Sequence, residues 1–345
     1  MGRITIREIA KSANVSPSTV SNVINNNERH VSPKTAERVR RLIEESGFTP
    51  DTVGRSLRRR STDSIGVIIL NVSAGQIAEP WIAVLLSGIS SVMSACGKTI
   101  VVDLWQTGAD DRQRYQRIFH GNLFDGAILI GPKRNEWILS ELVREGYPFV
   151  AMEWSAPGYS VNSVCANDFN GAYMAVTHLI ERGHRRIGMI NGDTGFFSAV
   201  ERLNGYNRAL ADHGLAAPPE LAVVGEFSES DGFKHAVALM AKSDPPTAIF
   251  AGDDLLAIGA INGLRHAGLE IPRDVSVVGF DDIPMARYLT PPLTTVRLPM
   301  WDMGVAAAEQ LQRILAPGKR QARQIIFDVE LLVRGSTAQA PAGKA

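Results

Sequence analysis

Three helix-start signals crowd into residues 5–33 and leave the N-terminal segment little choice of fold. Thr5-Ile6-Arg7-Glu8 reads as a capping box, in which the threonine hydroxyl takes the N–H of Glu8 and the glutamate reaches back to the cap. Ser16-Pro17 and Ser32-Pro33 each set a capping hydroxyl before a proline, whose missing N–H costs nothing at a first helical position. Apolar residues follow at helical spacing: Ile6, Ile9, Ala10 and Ala13; then Val20, Val23 and Ile24 beside Thr19; then Ala36, Val39, Leu42 and Ile43. Asn14-Val15 leaves room for only a tight turn between the first two helices, and the third stops near Gly47. Two short helices on a tight turn, with a third closing their core, is the helix-turn-helix plan. Pro17, Ser18, Ser21, Asn22 and Asn25 form the exposed face of the second helix, short and polar enough for base edges and phosphates. A small helical bundle with a solvated face is the plainer alternative.

The formal net charge of zero hides an asymmetry. Residues 1–60 carry 12 Lys and Arg against 6 Asp and Glu, or +6; from 36 of each in the chain, that leaves 24 and 30, or −6, for residues 61–345. A basic head on an acidic body suits a polyanionic partner at one end only.

Thr5-Ile6-Arg7-Glu8-Ile9-Ala10 with Val15-Ser16-Pro17-Ser18-Thr19-Val20-Ser21-Asn22-Val23-Ile24-Asn25 resembles the head of the LacI/GalR repressor family. The resemblance implies that residues 17, 18 and 22 read bases in the major groove. It implies that Thr5, Ser16, Thr19, Ser21, Asn25, His30, Ser32 and Thr35 hold phosphates or the fold. Position 22 is often Arg in the family; Asn pairs best with adenine and Arg with guanine, so the operator half-site is expected to differ. Thr49 to Arg58 is similar to the family's hinge helix, with Asp51 as its cap. So short a segment containing Gly54 holds no helix alone in water, so it is expected to order only on DNA. The resemblance implies that Leu57 wedges into the minor groove at the operator centre and that Arg58-Arg59-Arg60 sits against phosphates. A flexible linker with one incidental leucine is the other reading of this stretch.

Beyond residue 60, short apolar runs recur with helical stretches between them: Ile65–Leu70, Ile100–Val102, Ala127–Ile130, Phe149–Met152, Ile187–Ile190, Ala248–Ala251 and Val275–Phe280. These read as buried parallel strands in βα units, enough for two doubly wound subdomains. The chain is expected to cross between them near 163–166, 292–298 and 322–327. The predicted organisation is an all-α helix-turn-helix headpiece at 1–50, a hinge helix at 51–60, and a periplasmic-binding-protein-like α/β core at 61–340. Within the core, one subdomain takes about 61–164 and 296–324, the other about 165–295 and 325–340.

Ligands of open parallel sheets bind beyond the carboxyl ends of strands. Glu153-Trp154, Asn191, Asp253-Asp254 and Asp281-Asp282 stand at such ends. Carboxylates with a neighbouring Arg suit bidentate bonds to adjacent hydroxyls, as on a sugar. Any one Asp there is also a candidate helix cap, Asp254 and Asp282 more so than Asp253 and Asp281. Thr177 to Ile187, Arg202-Leu203-Asn204-Gly205-Tyr206, Ala251-Gly252-Asp253-Asp254 and Val278-Gly279-Phe280-Asp281-Asp282 extend the resemblance over nearly the whole chain. It implies that Arg202 and Asp281 contact an effector with Asp253 nearby, and Met152-Glu153-Trp154 resembles an effector-adjacent stretch of the family's purine-responsive members. Trp154 either stacks on a ring or fills core. His178 and His184 read as structural. The family's frequent Asn-Pro-Phe-Phe stands here as Glu79-Pro80-Trp81-Ile82, and its Asp-Asn as Asn167-Asp168, both near the expected cleft.

Other classes fare poorly. A periplasmic sugar-binding protein has no use for residues 1–60 and needs a signal peptide, and the polar N-terminus shows none. An enzyme on a dinucleotide-binding fold would show Gly-x-Gly-x-x-Gly or a nucleophile elbow, and neither is present. Cys96 and Cys165, the two cysteines, lack metal spacing and read as buried thiols. No apolar run reaches the roughly 18 residues of a membrane span. The expectation is a cytoplasmic homodimer, free of cofactors and metals. It would bind double-stranded operator DNA and a small-molecule effector, a sugar before a nucleobase.

Overall fold

The computed structural model describes residues 4–24, 27, 29–48, 61–71, 80–106, 111–121, 123–155, 160–318 and 321–341. Asn25, Leu57, Arg58, the rest of the expected hinge helix and Glu79 lie outside the described residues. The chain divides into two units, Met1–Thr62 and Asp63–Ala345.

In the first unit, the three helix starts form as their chemistry dictates. Helix α1 (Ile6–Ser12) opens on a complete capping box: the Thr5 N–H donates to Glu8 Oε2 at 2.6 Å, and the Glu8 N–H to Thr5 Oγ1 at 3.4 Å. Asn14 takes a left-handed backbone (φ 48°), which lets the chain reverse within the turn. Helix α2 (Pro17–Ile24) starts where Ser16 Oγ accepts the Thr19 N–H at 3.1 Å. Helix α3 (Pro33–Ser46) starts where Ser32 Oγ accepts the Thr35 N–H at 3.2 Å. It ends at Gly47, whose φ of 62° is the left-handed cap that favours glycine. Ile9, Ala10, Ala13, Val20, Val23, Ala36 and Val39 form its buried core, with Ile6, Ile24, Leu42 and Ile43 half-buried around it.

The second unit holds two six-stranded sheets. The strands of the first are β1 (Ser64–Leu70), β2 (Thr99–Trp105), β3 (Gly126–Ile130), β4 (Phe149–Met152), β5 (Ser163–Ala166) and β11 (Gln324–Phe327), in the order β11-β5-β4-β3-β1-β2, all parallel. Those of the second are β6 (Ile187–Asn191), β7 (Ala222–Val224), β8 (Ala248–Ala251), β9 (Ser276–Asp281), β10 (Thr294–Arg297) and β12 (Glu330–Leu332), in the order β12-β10-β9-β8-β6-β7. Here only β12 runs antiparallel, against β10.

The inner strands of each sheet are covered on both faces, which is why they read as unbroken apolar runs; the run Ile100–Val102, expected to be buried, lies on the edge strand β2, where Val101 and Val102 are exposed. On β1, Ile65, Val67 and Ile69 face helices α4 (Pro80–Ala95) and α11 (Met300–Leu315). Ile68 and Leu70 face the other side, with α6 (Trp137–Glu145) and the aromatic residues of α5 (Asp111–Tyr115) and the turn after it. Helices α7 (Asp168–Glu181) and α8 (Phe197–Asp212) cover one face of the second sheet, and α9 (Glu229–Met240) and α10 (Asp254–His266) the other.

The chain crosses between lobes at Asn167, at 298–299 and at 328–329, at or just beyond the crossings expected near 163–166, 292–298 and 322–327. β5 and β11 complete their ladder through Ala166 and Phe327 first, and the Asn167 N–H donates to the Phe327 carbonyl at 2.9 Å as the strands part. Cys165 is buried, as expected, but Cys96 is exposed, because it follows α4 beyond the stripe that packs on the sheet. No helix among the described residues is long and apolar enough to cross a membrane.

Candidate functional site

The head presents a face of short hydroxyls and a basic surround. Thr5, Ser16 and Ser32 spend their side chains capping helices, so their first role is to hold the fold. Ser16 Oγ also meets Ser18 Oγ at 2.6 Å and Thr19 Oγ1 at 2.9 Å. Pro17 and Ser18 stand exposed at the start of α2, Thr19, Ser21 and Asn22 are half-buried along it, and His30 is exposed beyond it. Arg7, Lys11, Arg29, Lys34, Arg38, Arg40 and Arg41 are all exposed, an array suited to phosphates.

In the second unit, the carboxyl ends of both sheets open onto one cleft of about 810 Å³, counting its space open to solvent. One lobe supplies Asn71 after β1, Gly131 after β3, Glu153 after β4 and Trp81 on α4. The other supplies Phe196, Ser198 and Arg202 around the start of α8, Glu226 and Phe227 after β7, Asp253 after β8 and Asp281 at the end of β9. The sequence therefore named Glu153, Arg202, Asp253 and Asp281, and one cleft brings these four together.

Arg202 organises the cluster. Its Nε donates to Asp168 Oδ1 at 2.8 Å, its Nη1 to the Gly252 carbonyl at 2.5 Å, and its Nη2 lies 3.5 Å from Asp281 Oδ1. The guanidinium rests on the ring of Phe280, 4.0 Å from its centroid. Asn167 makes the bond to Asp168 possible: its side chain caps α7 by accepting the Asn170 N–H at 3.2 Å, which leaves the neighbouring carboxylate free.

Burial raises the four carboxyls around Arg202, those of Glu153, Asp168, Asp253 and Asp281, against the pull of the guanidinium. Glu153 is pushed up to about 8, with Asp168 adding to the effect, and Asp253 to about 6. Asp168 and Asp281 are raised as well. Glu153 and Asp281 sit on positive-φ backbone (57° and 110°), a strain that clusters at ligand sites. Glu153 Oε1 and Asp281 Oδ1 are buried with no hydrogen bond.

The acid pairs divide their work differently from expectation. Asp253, not Asp254, caps α10, its Oδ1 accepting the Leu256 N–H at 2.6 Å. Asp254 is instead a buried cross-link that accepts from the Ile283 N–H at 2.8 Å and Thr295 Oγ1 at 2.6 Å. Asp282 caps nothing either; it pairs with Arg297 at 3.1 Å and Arg334 at 2.5 Å. Trp154 lies outside the cleft lining, packed in the core behind the first sheet, so its fold role prevails over stacking. Asn191 Nδ2 donates to the Ala199 carbonyl at 2.8 Å and fixes the first turn of α8. His184 bonds Thr247 and Ser276 and His178 bonds Thr337, the structural roles expected of them.

Asn71, Phe196, Ser198, Glu226 and Phe227 escaped the sequence reading. The strand-end rule, applied to β1 and β7 as it was to β4, β8 and β9, points to Asn71 and to Glu226-Phe227. Across the rim the lobes are stitched together: the Arg134 N–H donates to the Gly195 carbonyl at 2.8 Å, and Lys133 pairs with Asp193 at 2.8 Å.

A pH prediction follows from Glu153. Its folded value, about 8, lies above its ordinary 4.5, so the folded chain holds a proton the unfolded chain has lost. Its contribution is fully present below about 4.5 and fades as pH rises through 8. Glu153→Gln should flatten the fall of the core's unfolding free energy between pH 5 and 8, by up to about 1.4 kcal/mol per pH unit. An unchanged slope would show that Glu153 ionises freely.

Comparison with known proteins gives the fold and site a context. Residues 5–51 match the bacterial regulatory proteins of the lacI family, and residues 176–337 match the periplasmic binding protein-like domain. The chain is 31% identical to the HTH-type transcriptional repressor PurR of Aliivibrio salmonicida, over 96% of this chain and 98% of that protein. Among solved structures, it resembles the lac repressor dimer bound to operator and the anti-inducer ONPF, with a TM-score of 0.86 and 25% identity, covering 98% of this chain and 100% of that one. It also resembles the transcriptional regulator CelR in complex with cellobiose, with a TM-score of 0.76 and 31% identity, covering 97% and 100%.

Proposed function

Because the chain belongs to the lacI family of bacterial regulatory proteins, we propose that it is a cytoplasmic repressor whose hold on operator DNA is set by a sugar in the core cleft. One observation carries the sugar: Glu153 from one lobe faces Arg202, Asp253 and Asp281 from the other, and two of these carboxyls keep an unbonded buried oxygen. Carboxyl pairs of this kind suit adjacent hydroxyls, and the cellobiose of the CelR complex supports the reading.

The chain acts as a homodimer on a pseudo-palindromic operator, two heads on two half-sites, in keeping with the dimeric lac repressor complex. Pro17, Ser18 and Asn22 face bases; Thr5, Ser16, Thr19, Ser21, Asn25, His30 and Ser32 serve phosphates or the head's own fold; and Leu57 and Arg58 act from the hinge. A sugar held by both lobes changes their relative setting by a hinge motion at the three crossovers, and coupling of this type is typically 1–3 kcal/mol.

The test is selection of bound duplexes from a random pool by the full-length protein, then titration of the selected operator complex with a sugar panel. A palindromic consensus whose affinity shifts with one sugar supports the proposal. Absence of a consensus refutes the DNA reading, and a consensus indifferent to every sugar but responsive to hypoxanthine refutes the sugar. Asn22→Ala should relax preference at one base pair of each half-site, at a cost of about 1–3 kcal/mol for the cognate base. A uniform loss across sequences would instead make Asn22 a phosphate contact.

A further inference from the structure

We infer that the effector is an uncharged sugar presenting an apolar ring face, and that the cleft excludes sugar acids and sugar phosphates. This rests on the sugar reading above and narrows it.

The first support is the charge inventory. Four carboxyls line the cleft, Glu153, Glu226, Asp253 and Asp281, against one basic side chain among the described residues, Arg202. Arg202 is already engaged: its Nε donates to Asp168 and its Nη1 to Gly252, and its charge faces Asp168 and Asp281. At the rim, Lys133 is tied to Asp193 at 2.8 Å, and Arg134 is exposed. Stretches 72–79, 107–110 and 156–159, which follow β1, β2 and β4, contain no Lys or Arg. An anionic ligand entering here would meet four carboxyls and one arginine already paired with Asp168 and Asp281, and a buried unpaired charge is costly.

The second support is the hydrogen-bonding character of the unbonded groups. Glu153, held up to about 8 by burial, keeps its proton at neutral pH and can donate, while Asp281 Oδ1 lies beside Arg202 and can accept. A hydroxyl does both, so a polyol satisfies the pair with no charge of its own.

The third support is the apolar wall. Phe196 and Phe227 meet edge to face, 6.0 Å between centroids, and line the cleft with Trp81, Leu298 and Met300. The C–H face of a pyranose or furanose lies well on such rings, whereas a carboxylate or phosphate gains nothing from them.

The experiment is calorimetric titration of the full-length protein with matched pairs: glucose and glucuronate, galactose and galacturonate, cellobiose and cellobionate, ribose and ribose 5-phosphate. Glucosamine and hypoxanthine complete the set. The inference expects one neutral member to bind at least about tenfold more tightly than its acidic partner. An acid that binds as well as its neutral partner overturns the inference and leaves the sugar reading standing. Binding confined to glucosamine overturns neutrality in the other direction. Binding of hypoxanthine with no sugar of any charge overturns the sugar reading itself. In Phe196→Ala the neutral sugar should weaken by about tenfold while its acid stays unbound; undiminished affinity overturns the stacking half.

Discussion

Arg202→Ala is expected to cost the core about 3–5 kcal/mol of stability, the usual penalty for removing one partner from a buried ion-pair cluster. The family resemblance makes Arg202 an effector contact, which alone would leave the fold untouched. The geometry argues otherwise. The residue is 4% exposed, and its side chain braces Asp168, Asp281 and the Gly252 carbonyl at once. Its removal leaves two buried carboxyls and a carbonyl without their partner, and a void against Phe280. For a unit of this size the loss corresponds to a melting temperature lower by on the order of 10 °C.

The sign of its pH dependence is also set. Without Arg202, Asp168 and Asp281 rise still further above their ordinary value, so the variant folds with them protonated. Its deficit should be smallest near pH 5 and largest near pH 8. Adding Asp168→Asn to Arg202→Ala should recover part of the loss, because a neutral amide is cheaper to bury than an orphaned carboxylate. A variant as stable as the wild type at pH 8 would mean that water reaches the cluster and that the ion pairs are dispensable.

How much of this was readable from sequence depends on the range of the physics involved. The head is legible because each of its determinants acts within three or four residues: Thr5 on Glu8, Ser16 on Thr19, Ser32 on Thr35. The strands are legible as buried runs, their carboxyl ends pointed to Glu153, Asp253 and Asp281, and the family resemblance supplied Arg202. The division of labour between Asp253 and Asp254 was not. The two are adjacent, and which one caps α10 depends on where the β8 ladder stops and on Thr295, 41 residues away, taking the other. Trp154 stayed open between stacking and core for the same reason: the residue after Glu153 turns to the far face of its sheet, and only the neighbouring helix decides whether that face is core. Phe196 and Phe227 meet from loops after different strands, so neither segment alone reveals the aromatic wall.

Gly205 tests the same architecture from the backbone. Helices α7 and α8 cross so closely there that a Cβ on Gly205 would lie 2.2 Å from the Phe169 carbonyl oxygen and 2.9 Å from the Ala172 Cβ. Two effects oppose each other in Gly205→Ala. Helix propensity favours alanine by up to about 1 kcal/mol. Overpacking typically costs about 1–3 kcal/mol, and the obstructing atom here is a backbone oxygen that has no rotamer to escape into, so the steric term should win. The expected result is a net loss of up to about 2 kcal/mol when the full propensity gain is set against the overpacking cost. Asn204→Ala, exposed on the same helix, should stay within about 0.5 kcal/mol.

The consequence reaches the site, because α7 carries Asp168 and α8 carries Arg202. Prising the helices apart lengthens their 2.8 Å bond and shifts the guanidinium that sets Asp281. Gly205→Ala should therefore weaken effector binding as well as folding, although Gly205 is not among the residues lining the cleft. Denaturant titration and calorimetry on the same preparation separate the two losses. A variant with wild-type stability would mean that the helix pair yields without cost. One that is destabilised yet binds normally would mean that Arg202 takes its place from the sheet rather than from α7.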